Sequence, residues 1–374
     1  MVMSQANDTC FLARAIRLAE RGLFSTDPNP RVGCVLVKDD KIVGEGWHRR
    51  AGGPHAEVNA LNAAGENARD ATAYLSLEPC SHHGRTPPCA DALIEAGVAR
   101  VVIAMEDPNP GVAGEGMERL RAAGIEITSG ILQPQAELLN PGYIRRMRGG
   151  LPYVRMKVAM SLDGRTAMAS GESRWITAEA ARRDVHRLRA RSSAILTGIA
   201  TVLADDPCLN ARLHDEADIE QPLRVVLDSQ LQMPTTARMM SLPGHTVVLT
   251  GMHDSTRIAA LAKAGAEVSV IAANSGGLDL SMVMAFLAQR DVNEVLVEAG
   301  PTLCGAMLQA GLVDELIVYM APMLMGDSAH GLMTLPGLES ISDSVELEID
   351  DIRAVGKDWR IKCRVKRKQG KDTR

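Results

Sequence analysis

A histidine, a glutamate and two cysteines between residues 54 and 89 have the types and spacing of a site that does chemistry. Pro54-His55-Ala56-Glu57 is followed by Glu78-Pro79-Cys80-Ser81-His82-His83-Gly84-Arg85-Thr86-Pro87-Pro88-Cys89. One imidazole and two sulfurs are three ligands, the number that leaves a fourth position on zinc open to water. Glu57 stands two residues past the histidine, where a carboxylate can handle that water's proton without being a ligand. The chemistry on offer is hydrolytic attack on an electron-poor carbon. Two other readings stay open: a structural zinc site completed by His82 or His83, and two unconnected buried cysteines.

These groups must be positioned by the elements around them. Two positions apart on a regular helix, side chains point roughly 200° away from each other. His55 and Glu57 can share one metal only at a helix entrance, and Pro54 before Ala56-Glu57-Val58-Asn59-Ala60-Leu61 predicts one there. Cys80 closes an apolar strand-like run, residues 73–77. Cys89 opens an amphipathic helix, residues 90–96, with Gly97 as its stop. The order H-x-E, then P-C, then C resembles zinc-dependent base deaminases, in a variant with eight residues rather than two between the cysteines.

Around this segment the pattern predicts a helix over 9–21 and a hairpin over 31–48. Strands over 73–77 and 101–105 and an edge strand over 124–127 complete a three-layer α/β unit. The basic, glycine-paired stretch 145–152 predicts a boundary, giving domains over 1–148 and 149–374. The second domain alternates strands (154–160, 194–197, 224–227, 246–250, 267–271, 294–297, 316–320) with helices (178–189, 257–264, 281–289, 303–310). Such alternation implies a largely parallel sheet. Two further strand-like runs, 345–349 and 359–365, end the chain as a hairpin on its edge. Glu298-Ala299-Gly300-Pro301-Thr302-Leu303-Cys304-Gly305 is a strand-to-helix loop that suits a phosphate. Thr197-Gly198-Ile199-Ala200-Thr201 repeats the theme, and the two loops favour a nucleotide at the strands' carboxyl ends. Asp163-Gly164 reads as a turn, as does the stretch 203–207, whose adjacent carboxylates could also face a polar substrate. Lys157 sits unusually inside an apolar strand. Arg189 and Arg212 read as surface arginines unless a phosphate has to be held.

Composition narrows the class. A chain of 374 residues suits about two domains. With only three Trp, four Tyr and three Phe, the cores must be built from small aliphatic side chains and Met. A formal charge of −5 offers no broad positive field, which argues against nucleic acid as a partner. The basic run 366–371 reads as a solvated tail. Seven cysteines form no disulfide framework, and no signal or membrane-spanning pattern is visible, so a cytoplasmic enzyme without a membrane partner is expected.

Taken together, the two halves resemble the bifunctional riboflavin-biosynthesis deaminase/reductase family. The stretches that carry the likeness are 55–57, 78–89, 157–167, 201–207 and 297–305, whereas 214–222 and the tail match nothing. The resemblance implies a cytidine-deaminase-like domain followed by a dihydrofolate-reductase-like domain. It implies zinc on His55, Cys80 and Cys89, with Glu57 as proton carrier and Asn29 and His82 near the base. It places NADPH against Ala159, Trp175, Thr201, Ser229, Gly300, Pro301, Thr302, Leu303 and Gly305. Substrate lies near Ser173, Arg189, Asp205, Leu209, Arg212 and Glu298, with Lys157 and Asp205 toward the reacting sugar. Phosphoribosyl-pyrimidine substrates and a homodimer follow from the same likeness. Trp175 could instead be a half-buried core aromatic. Two rival functions are a nucleoside or tRNA deaminase with an unrelated second domain, and a zinc-stabilised sensor of flavin precursors.

Overall fold

The structure is a computed structural model and describes residues 5–81, 87–213, 219–274 and 277–366. It divides into two compact units, Met1–Leu151 and Pro152–Arg374. In the first, α1 (Gln5–Ala19) precedes a hairpin of β1 (Gly33–Lys38) and β2 (Lys41–Trp47). α2 (Ala56–Ala64), β3 (Thr72–Leu75), α3 (Cys89–Glu95), β4 (Arg100–Ile103), α4 (Glu115–Ala122) and β5 (Glu126–Ser129) follow. α5 (Gln133–Leu139) and α6 (Pro141–Gly149) close the unit. The sheet order is β2-β1-β3-β4-β5, antiparallel around β1 and parallel from β3 to β5.

Because side chains alternate across a pleated sheet, the apolar strands serve two cores. Cys34, Leu36, Ala73, Leu75, Val101 and Ile103 pack with residues of α2, α3 and α4. Val35, Val37, Tyr74 and Val102 pack with residues of α1 and α5. Three layers result. Gly44 and Gly46 of β2 lie so close to α2 that a Cβ on either would collide with the carbonyl of Ala60 or Ala56. Only glycine permits that approach, and it fixes the helix whose first turn carries Glu57.

The second unit contains β6 (Tyr153–Ser161), β7 (Arg165–Ala167), α7 (Glu179–Arg191), β8 (Ala194–Gly198), α8 (Ile199–Asp205) and β9 (Leu223–Leu227). Next come β10 (Thr246–Thr250), α9 (Ser255–Lys263), β11 (Ala266–Val270) and a two-residue ladder of β12 (Ala273–Asn274) with β13 (Gly277–Leu278). α10 (Leu280–Ala288), β14 (Glu294–Val297), α11 (Pro301–Gln309), β15 (Glu315–Ala321), β16 (His330–Gly331), β17 (Leu347–Val355) and β18 (Asp358–Val365) complete it. The main sheet runs β11-β10-β9-β8-β14-β6-β15-β18-β17. It is parallel from β11 to β15 and antiparallel beyond. Val295, Leu296 and Val297 of β14 are all fully buried, as a strand covered on both faces must be.

Two expectations need correction. The stretch 203–207 is not simply a turn: its first three residues end α8, and the reversal is confined to Asp206, at φ 41°. Pro207 stops the helix there. The strand expected at 345–349 runs from Leu347 to Val355. It is an edge strand whose Ile349 and Ile352 are exposed among charged residues, so no alternation marks its course. The unmatched segment 214–222 falls partly, and the tail from 367 wholly, outside the described residues. Among the described residues no helix is long and apolar enough to cross a membrane.

Candidate active sites

His55 is the N-cap of α2, with extended backbone (φ −72°, ψ 169°), while Glu57 already lies in its first turn. The chain is still turning in at the histidine, which removes the separation a regular helix would impose. Cys89 opens α3 and Cys80 lies on the loop beyond β3. His55 Nδ1 is 3.2 Å from Cys89 Sγ and 3.7 Å from Cys80 Sγ, and the three ligand atoms all lie within 4.8 Å of one another. Tetrahedral zinc, with bonds of about 2.0 Å to nitrogen and 2.3 Å to sulfur, spaces its ligand atoms about 3.5–3.8 Å apart. The set therefore fits zinc with little movement. A hydrogen bond between the two sulfurs, helped by His55 and opposed by burial, holds the Cys80 thiol down to about 4, while the same bond and burial together push Cys89 up.

Glu57 is 3% exposed, and its Oε2 is buried without a hydrogen-bond partner in the described structure. Burial, then the charge of Cys80, pushes its carboxyl above the usual range. A buried acceptor left unpaired is costly, and here it stands beside three ligand atoms, where a solvent molecule would satisfy it.

Two supporting residues were not singled out from sequence. Glu78 accepts from the backbone N–H of Asp107 (3.0 Å), Gly114 (3.1 Å) and Met117 (3.2 Å), which ties the segment before Cys80 to the start of α4. Its place in the Glu-Pro-Cys run was its only signal. His48 is buried and faces the Pro54 carbonyl through Nδ1 (3.1 Å) and Asn29 Nδ2 through Nε2 (3.1 Å). A carbonyl can only accept, so Nδ1 carries the hydrogen and Nε2 accepts from Asn29. That bond turns the amide oxygen of Asn29 away from His48. His82, and His83 with it, lies outside the described residues.

In the second unit, the carboxyl ends of β8, β9 and β14 frame a cleft of about 310 Å³. Thr201, Ser229, Gly300, Pro301, Thr302 and Leu303 line it, together with Leu278 and Leu280, which sequence gave no reason to choose. Gly300 caps α11, and a Cβ there would meet nothing nearer than Thr201 Oγ1 at 4.0 Å. Open space over a helix N-terminus suits a nucleotide phosphate. Ala159, Trp175 and Gly305 are not among the lining residues. Ala159 lies on β6 opposite Tyr319. Trp175 is 68% exposed under the Arg182 guanidinium, 4.5 Å from its ring centroid, and is not a core aromatic. Gly305 faces the Thr334 backbone, which leaves no room for a Cβ.

Immediately after β14, Glu298 gathers two cations. Lys157 Nζ is 3.1 Å from Glu298 Oε2, and Arg189 donates to both carboxylate oxygens at 2.5 and 3.0 Å. Burial alone would raise Glu298, but Arg189 and Lys157 outweigh it and hold its carboxyl well below the usual range. Lys157 is therefore paired, and Arg189 is mostly buried rather than an ordinary surface residue. Arg189 also donates to the Asn210 carbonyl (3.2 Å), and the exposed Arg212 donates to Asn210 Oδ1 (2.7 Å). Asp205 ion-pairs with Arg174 at 3.6 Å. Leu209 is buried at φ 44°, and Ser173 is half-buried beyond β7.

Comparison with known proteins adds the family. The cytidine and deoxycytidylate deaminase zinc-binding region matches residues 5–105, and the RibD C-terminal domain matches 152–361. The chain is 54% identical to the riboflavin biosynthesis protein RibD of Escherichia coli K12, over 94% of this chain and 97% of that protein. RibD of Haemophilus influenzae is 46% identical over 96% of this chain and 98% of its own. Among solved structures, Acinetobacter baumannii RibD (form 1) matches with TM-score 0.91 and 46% identity, covering 97% of this chain and 100% of that one. A Thermotoga maritima diaminohydroxyphosphoribosylaminopyrimidine deaminase/5-amino-6-(5-phosphoribosylamino)uracil reductase matches with TM-score 0.84 and 33% identity, over 96% and 99%. A deaminase fold and a dihydrofolate-reductase-like fold thus stand in one polypeptide, with zinc and NADPH as the cofactors of the two halves. The chain belongs to the RibD family, the bifunctional deaminase/reductase enzymes of riboflavin biosynthesis.

Proposed function

We propose that His55, Cys80 and Cys89 hold the zinc ion and that Glu57 carries protons for the deaminase. The observation behind this is the convergence of three ligand atoms within 4.8 Å beside the unpaired Glu57 Oε2. When bound, zinc makes a solvent nucleophile available at neutral pH. Glu57 takes the solvent proton and delivers it to the departing amine. Asn29 orients the base through its amide, and His82 is a further substrate-binding residue. The substrate is 2,5-diamino-6-(5-phosphoribosylamino)pyrimidin-4(3H)-one, which leaves as ammonia and 5-amino-6-(5-phosphoribosylamino)uracil.

For the reductase, NADPH occupies the cleft lined by Thr201, Ser229 and residues 300–303, with Ala159 and Trp175 beyond its lining. The ribosyl group is reduced to ribityl by hydride delivery to the carbonyl carbon of the ring-opened sugar. Lys157, held in place by Glu298, donates to that carbonyl oxygen. Asp205, Ser173 and Leu209 shape the sugar site, and Arg189 and Arg212 face its phosphate. The enzyme works in the cytoplasm as a homodimer, without nucleic-acid or membrane partners. All seven cysteines are free thiols. Ile349, Ile352 and Trp359 expose apolar side chains on the β17–β18 hairpin, a face that a second copy would cover.

The test mixes protein with the diaminopyrimidine substrate. Ammonia release without NADPH, followed by NADPH oxidation once NADPH is added, supports the two sites. Ammonia release undiminished in Glu57→Gln would sink the assignment of the first.

A further inference from the structure

His186 lies on α7, one turn before Arg189, and is half-buried. Its Nε2 is 3.0 Å from Arg212 Nη2. An arginine has no acceptor, so the bond exists only with Nε2 unprotonated and the guanidinium donating. Burial, reinforced by the positive charges of Arg189 and Arg212 and only partly offset by Glu298, holds the imidazole down to about 4. The ring is neutral at any working pH. Arg212 meanwhile spends a hydrogen of Nη1 on Asn210 Oδ1. Two acceptors on two different nitrogens fix the plane of an otherwise exposed guanidinium, leaving Nε–H and one hydrogen on each Nη.

We propose that His186 is a positioning residue that sets the reductase site's preference for a phosphorylated substrate, by fixing Arg212 in the orientation that receives a phosphate monoester. The inference rests on the reading of Arg212 as a phosphate ligand. A planar fork aimed in advance binds phosphate without first losing its rotamer freedom. The neutral ring matters as much as its position, because a protonated one would repel Arg212 and withdraw the acceptor.

The experiment compares the full-length enzyme with His186→Phe, His186→Gln and Arg212→Ala. Reductase kinetics are measured on 5-amino-6-(5-phosphoribosylamino)uracil and on its dephosphorylated form. His186→Phe keeps a ring but loses the acceptor, so KM for the phosphorylated substrate should rise roughly 3- to 10-fold, the scale of one side chain's ordering cost. kcat, KM for NADPH, KM for the dephosphorylated form and the deaminase rate should hold. His186→Gln restores an acceptor and should bring KM back. An unchanged KM in His186→Phe, or an equal rise for both substrates, overturns the proposal. So does a failure of His186→Gln to recover KM. If Arg212→Ala leaves KM unchanged, the underlying assignment of Arg212 to the phosphate falls. If it raises KM while His186→Phe does not, only the positioning role falls.

Discussion

Glu298→Gln is the perturbation with the clearest physical consequence. The carboxylate is 8% exposed and is shared by Lys157 and Arg189, whose side chains are 18% and 14% exposed. Replacing it with a neutral amide leaves two half-dehydrated cations facing each other. Removing one partner from a buried ionic cluster costs about 3–5 kcal/mol. With a urea dependence of about 1–3 kcal/mol per molar, the unfolding midpoint of the reductase unit should fall by about 1–5 M. The carboxyl is depressed in the folded state, so the cluster's contribution is fully present above the unfolded value of 4.5 and fades only as pH falls through the lower folded value. The difference between wild type and variant should therefore be flat from pH 8 to pH 5 and shrink only in stronger acid. Adding Lys157→Met to Glu298→Gln removes one uncompensated cation and should recover part of the loss. Urea titrations followed by circular dichroism at several pH values give all three results. A midpoint within experimental error of wild type, or a difference that grows toward pH 5, refutes the reasoning.

Three further outcomes are expected. Glu57→Gln should lower the deamination rate by roughly 100-fold or more, the scale of general acid–base catalysis, while NADPH oxidation on supplied aminouracil continues. Cys89→Ser should lose zinc from the purified protein, measured by atomic absorption, because two ligands hold the ion poorly where three plus water suffice. Gly300→Val puts bulk into the open cleft and should weaken NADPH binding roughly tenfold in a fluorescence titration, with ammonia release unaffected.

The convergence of His55, Cys80 and Cys89 was legible because metal chemistry restricts both residue type and spacing, and the flanking proline and glycine signals put these residues at element ends. The strands of the parallel sheet were legible for a related reason, since burial on both faces leaves runs such as Val295-Leu296-Val297 with no polar interruption. The Glu298–Lys157–Arg189 cluster was not. It exists because β14 lies beside β6, and strand order is not written in any local pattern. His48 escaped notice because a lone histidine at the end of a hairpin has no spacing partner to mark it. Gly305 shows another limit: a glycine in a glycine-containing loop can admit a ligand or a neighbouring backbone, and sequence does not separate the two. The continuation of α8 to Asp205 was missed because the helix is only seven residues long and runs into Asp206-Pro207, which reads as a reversal.

At the opposite end of β14 from Glu298, Arg155 is sealed between Glu294 at 2.8 Å and Glu315 at 2.6 Å. The strand is thus pinned at its head by one set of charges and just past its tail by another, so the loop that begins at Ala299 starts from an immovable anchor. The facing bank of the cleft, Leu278–Leu280, is tied in by a ladder only two residues long.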